Sequence, residues 1–225
     1  EKFIMKLKKI ASLALAGIMA VSMLAGCKDG GNGNSGSSSE GTNPTSTYTS
    51  TILNETASTT KALFAASSNT KLDQAVTYSA RNCKYDANGL DVLTACYNGS
   101  DFHKVAQEYM GNAVYTDKLI PASSTNWKNT NANRLLAADD VTVYTLLAIS
   151  REHNDDYINK RVAAAINQIA DVLNEKVANA GNDTYDYSIS IAKADCLQNK
   201  QEADADKDEV IIGIAITLDY TADQY

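Results

Sequence analysis

The chain has 225 residues, 44% of them hydrophobic and 21% charged, and a formal net charge of −7. That apolar share excludes an intrinsically disordered chain, and the acidic balance excludes a basic nucleic-acid binder. With only 12 Gly and 2 Pro, collagen-like and proline-rich scaffolds are excluded too, and the length points to one globular domain or two small ones.

The first residues in chain order read as targeting sequence rather than fold. Lys6, Lys8 and Lys9 form a positive n-region, and Ile10 to Met23 is an apolar run of 14 residues. A helix needs about 20 residues to cross a bilayer, so this run suits a signal-peptide h-region. Residues 1–4 fit an n-region poorly, which makes Met5 the expected start and the first four residues an upstream extension. The apolar run ends in Leu24-Ala25-Gly26-Cys27.

These four residues resemble the bacterial lipobox, in which small residues precede a cysteine that receives a diacylglyceryl group before cleavage. The resemblance implies that residues 1–26 are a lipoprotein signal peptide and that Cys27 is the lipidated first residue of the mature protein. It would then sit on the extracytoplasmic face of the cell membrane. The competing readings are an ordinary secretory signal with a coincidental cysteine, or a retained anchor helix. Each buried methylene contributes about 0.8 kcal/mol, so two acyl chains such as palmitate hold where one binds only reversibly.

From Lys28 to Thr47 there is no large apolar residue, and Gly, Ser, Asn and Thr dominate. Such a segment cannot bury surface and reads as a flexible tether with a root-mean-square reach of about 25 Å. Gly/Ser tethers directly after a lipobox are similar to those of Gram-positive surface lipoproteins. Removing residues 1–26 takes away Glu1, Lys2, Lys6, Lys8 and Lys9, which leaves 16 basic against 26 acidic residues, or −10. Residues 151–225 hold 15 acidic and 7 basic side chains, so most of the excess lies in the last third. Nucleic acid is disfavoured as a partner, and so is lying flat against anionic lipid.

Residues 48–225 are expected to form a single α+β domain, its N-terminal half helical. Ile52, Thr56, Thr59, Leu63 and Phe64 lie near a 3.6 period, Leu72, Ala75, Val76 and Ser79 suggest a second helix, and Leu90, Leu93, Thr94 and Tyr97 a third. A clearer helix runs from an N-cap at Ser100 or Asp101 to Gly111. Residues 112–133, rich in Asn, Thr and Ser and containing the single Trp127, read as a long loop.

The second half is more strongly patterned. Val141 to Ser150 is apolar on both faces, as in an interior strand, and Asn154 or Asp155 then caps a helix with its apolar stripe running from Ile158 to Val177, closed near Gly181. Tyr185, Tyr187, Ile189 and Ile191 alternate with polar residues, and Val210 to Tyr220 alternates with small or polar ones. The two runs should pair as an antiparallel hairpin around an acidic loop, making a small sheet covered by the long helix.

Chemistry-bearing residues are few. With Cys27 assigned to lipid, a Cys83–Cys96 bridge would close a short loop and add roughly 3 kcal/mol on the entropic model, leaving Cys196 at a strand end as the odd one. Three reduced, buried thiols, as an anaerobic host would allow, are the alternative. Cys83, Cys96 and His103 match no zinc spacing, and neither His103 nor His153 stands in a cysteine-peptidase context. Asp204, Asp206 and Asp208 resemble the opening of a calcium loop, but Glu209 replaces the turn glycine and Ala215 the twelfth-position ligand, so a solvated hairpin tip is the favoured reading.

No cofactor is expected. The reading that results is a membrane-anchored cell-envelope lipoprotein with a non-enzymatic binding or structural role, its partners the membrane through Cys27 and an envelope protein or wall glycan. One alternative is a wall-acting enzyme with a polar cleft near Cys83, His103 and the Asn-rich loop. The other is a sporulation or envelope assembly factor that oligomerises through an exposed, uncharged strand edge.

Overall fold

The strands that alternate most cleanly in sequence form the centre of a mixed six-stranded sheet. The structure, a computed structural model, describes residues 44–82, 92–96, 101–196 and 209–223. Its elements are α1 (Pro44–Glu55), α2 (Ser58–Leu63), β1 (Phe64–Ala66), α3 (Thr70–Asn82), β2 (Thr94–Ala95), α4 (Asp101–Met110), β3 (Val114–Tyr115) and α5 (Ser124–Lys128). A 3₁₀ helix (Asn131–Leu136), β4 (Val141–Ser150), α6 (Asp155–Ala178), β5 (Thr184–Asp195) and β6 (Glu209–Thr221) complete them. Residues Thr42–Tyr225 cluster as one compact unit. Among the described residues no helix is long and apolar enough to cross a membrane.

The strand order is β1-β5-β6-β4-β2, with β3 also on β4. The expected hairpin is present: β5 runs antiparallel to β6 from Thr184↔Thr221 to Asp195↔Val210. β4 lies on the other side of β6, antiparallel, from Val141↔Leu218 to Ser150↔Glu209. β1 and β3 are parallel to their partners, β2 antiparallel. Each of these three is only two or three residues long, too short to carry a period of its own.

Both faces of the sheet are covered, where sequence patterning led us to expect one. Tyr187, Ile189, Ile191, Ile212, Ile214 and Val143 face one apolar cluster, which α6 enters with Ile158, Val162, Ile166, Ile169 and Leu173. The opposite face offers Gly213, Ala215, Ala192, Ala148 and Ile211, and α3 and α4 pack there through Leu72, Val76, Ala106 and Met110. Small residues on that face admit a close helix rather than marking exposure to water. A Cβ on Gly213 would stand 2.4 Å from Val76 Cγ2 and 2.9 Å from Leu72 Cδ1, so glycine is what lets α3 reach the strand.

α6 begins as expected: Asn154 Oδ1 accepts the Tyr157 N–H at 2.9 Å, Asp155 and Asp156 occupy the first turn, and Gly181 has φ +66° just past its end. α4 likewise ends at Gly111, φ +61°. The first expected helix is instead two, broken at Thr56 and Ala57, with Phe64 already in β1. The backbone turns helical at Pro44, inside the expected tether, and proline suits a first helical turn because it needs no N–H partner there. Thr94–Ala95 is a strand on β4 rather than part of a third helix.

The 112–133 segment is not a plain loop, since it holds β3, α5 and the start of the 3₁₀ helix. Trp127 is fully buried there beside Leu119, Ala132 and Leu135, and the Tyr187 hydroxyl donates to the Leu135 carbonyl at 2.6 Å, fastening the 3₁₀ turn to the sheet.

α1 and α2 are held by polar groups that a hydrophobic pattern does not reveal. Asn159, on α6, accepts from the Tyr48 hydroxyl at 3.0 Å. Two turns along, Asn167 Oδ1 accepts from Thr60 Oγ1 at 2.7 Å and from the Ala57 N–H at 3.1 Å. Tyr48 is half-buried, and that desolvation raises its pKa well above the ordinary phenol range, with the Asp155 charge adding to it.

Candidate functional site

At the end of the sheet where β4 starts and β6 finishes, the helices of the second face stop short and the strand surface changes character. The register sets Ser188, Thr217 and Thr142 side by side across β5, β6 and β4, and the Thr142 and Thr217 hydroxyls are 2.8 Å apart. One step further, Asp186 lies directly opposite Asp219, and Asp140 Oδ1 accepts the Tyr220 N–H at 2.8 Å. Two carboxylates paired across strands repel each other, so this row costs stability rather than adding to it.

A cleft of about 480 Å³ opens over this floor. Lys71 from the first turn of α3 and Arg134 from the 3₁₀ helix border it with positive charge, and Asp140 and Asp219 with negative charge. Met110 and Ala113 give it an apolar share, while the side chains of Val141 and Leu218 pack into the cluster on the α6 face. Asn69 lines it too, its Oδ1 accepting the Leu72 N–H at 3.0 Å, which starts α3 at the cleft wall.

β3 and the 3₁₀ helix each line both this cleft and a second one of about 460 Å³, bounded by Tyr115 to Lys118 and by Asn129, Thr130, Asn131 and Asn133. The Asn-rich segment singled out in sequence does line a polar cleft. Much of its amide capacity is already spent, however: Asn131 Nδ2 donates to the Tyr115 carbonyl at 3.2 Å and Asn133 Nδ2 to the Lys128 carbonyl at 3.1 Å. Tyr115 offers no stacking face, because it is buried against Tyr144, and its hydroxyl donates to the Cys96 carbonyl. Burial pushes the Tyr144 phenol up to about 12 and the Tyr115 phenol higher still.

Of the residues singled out in sequence, Cys27, Cys83, Asp204, Asp206 and Asp208 lie outside the described residues, and so does the side chain of His103. Cys96 and Cys196 are both buried in the cluster under α3 and α4, at 1% exposure each. His153 stacks on Tyr157 with ring centroids 4.1 Å apart, and Arg161 donates to the Tyr157 hydroxyl. That group stands beside an ion-pair network in which Arg151 and Lys193 both engage Asp155. Among the described residues no three His, Cys, Asp or Glu side chains are grouped to hold a metal ion.

Sequence reasoning missed Lys71, Arg134, Asp140 and Asp219, because each looks like an ordinary surface charge until four separate elements bring them to one cleft. The one usable signal was that the polar side of the two alternating strands carries carboxylates near the strand ends, Asp186 and Asp219. Chemically, the described walls offer charge and hydrogen bonding for a bound polar molecule. Comparison with protein-family models, with curated proteins and with solved structures found no match.

Proposed function

We propose that the protein is a lipoprotein of the bacterial cell envelope, anchored through a diacylglyceryl group on Cys27 and displaying its α+β domain outside the membrane as a non-enzymatic binding module. The observation that carries this reading is the unbroken succession of basic n-region, 14-residue apolar run, Leu-Ala-Gly-Cys and polar tether in residues 6–43. The cleft with charge of both signs supports a binding role. The outer edge of β5 carries β1 and α1, and that of β4 carries β2 and β3, which argues against assembly through an open strand edge.

Membrane fractionation of cells expressing wild type and Cys27→Ala tests the anchor. Wild type is expected in the membrane pellet and the variant in the soluble or unprocessed fraction. A Cys27→Ala chain that is processed to the same length and pelleted like wild type would sink the reading.

A further inference from the structure

We propose that the cleft bordered by Lys71, Arg134, Asp140 and Asp219 binds a small zwitterion: a molecule with a free ammonium and a free carboxylate on a short, partly apolar body, such as a peptide with open ends. The inference deepens the binding role proposed above and rests on it.

Four charges of both signs line one cleft, and among the described residues none of the four makes an ion pair. The molecule does form such pairs elsewhere, where Arg151 pairs with Asp155 and Asp195 and Lys193 pairs with Asp155. In the cleft no opposite charge lies within 4 Å of another, and all four side chains are exposed to solvent, open to a ligand that spans them. A ligand of single charge meets repulsion from one wall: a phosphate faces Asp140 and Asp219, and a polyamine faces Lys71 and Arg134. A zwitterion satisfies both walls at once.

The rest of the lining fits the middle of such a molecule. The Thr142–Thr217 hydroxyl pair on the floor can donate to or accept from a peptide group, and half-buried Ala113, which packs with the cluster on that face, supplies apolar contact for a small side chain. A volume of about 480 Å³ is within the range of small-molecule sites, roughly 300–1,000 Å³.

The test is calorimetric titration of the full chain, purified in detergent, with alanyl-alanine, N-acetyl-alanyl-alanine and alanyl-alanine amide. Saturable binding of the unblocked dipeptide is expected, with each blocked analogue weaker by about tenfold or more. Arg134→Gln should weaken the dipeptide and the N-acetyl analogue alike and leave the amide unaffected, whereas Asp219→Asn should weaken the dipeptide and the amide and leave the N-acetyl analogue unaffected. Absence of saturable dipeptide binding, or equal affinity for all three molecules, would overturn the proposal. Neither readout depends on the anchor: dipeptide binding by a chain that stays out of membranes would uphold the site while the Cys27 reading falls.

Discussion

Thr49 Oγ1 accepts the main-chain N–H of Ile191 at 2.9 Å and donates to the carbonyl of the same residue at 3.3 Å. A helix hydroxyl thus takes the place that a neighbouring strand would occupy beyond the end of β1, whose pairing with β5 stops at Ala66↔Ile189. Thr49→Val keeps the shape but leaves both Ile191 groups buried and unsatisfied, so it should cost about 1–3 kcal/mol, with Thr49→Ser close to wild type. Urea unfolding measures the loss, and faster exchange of the Ile191 amide should accompany it.

Gly213→Ala places a methyl group against Val76 and Leu72 and should destabilise the fold by about 1–3 kcal/mol through overpacking. Val76→Ala removes the nearer obstacle, the atom at 2.4 Å. The double variant should therefore be more stable than the two single losses added together, and a double-mutant cycle reads the coupling directly.

Asp155 is held below the usual carboxylate range, first by its hydrogen bond from Arg151 and then by that from Lys193. Because the folded state depresses this pKa, the contribution is fully present above the unfolded carboxylate value of about 4 and is lost as pH falls below that toward the lowered folded value. The side chain is 55% exposed, so screening limits the whole effect to about 1 kcal/mol. Stability measured from pH 6 to pH 3 should fall less steeply in Asp155→Asn than in wild type.

The single Trp127 is fully buried, although it lies in a segment that looks like a polar loop. Its native emission should be blue-shifted and resistant to acrylamide, shifting red on unfolding. Trp127→Ala should cost about 3–5 kcal/mol. Trp127→Phe should cost less, since the indole Nε1 has no hydrogen-bond partner among the described residues to lose.

The second half of the fold was legible because its periods are long: β4 spans 10 residues, α6 spans 24 and β6 spans 13, each with an unbroken apolar pattern, and Asn154 and Gly181 mark the ends of the helix. Phe64, Thr94 and Val114 were not legible as strand residues. Their strands exist only through pairing with β5 and β4, a tertiary effect that no local window carries. The covered second face was misjudged because Gly213 and Ala215 look like solvent-side residues until α3 lies on them. The charged cleft was invisible for a similar reason, since Lys71, Arg134, Asp140 and Asp219 meet only after the sheet has formed.

How this domain is attached to the membrane can be read from the intact mass of the protein extracted from it. The expected species is a chain that begins at Cys27, lacks residues 1–26 and carries the added mass of a diacylglyceryl group, with no such species from Cys27→Ala. A mature chain that begins elsewhere, or that begins at Cys27 without lipid, would contradict attachment through Cys27.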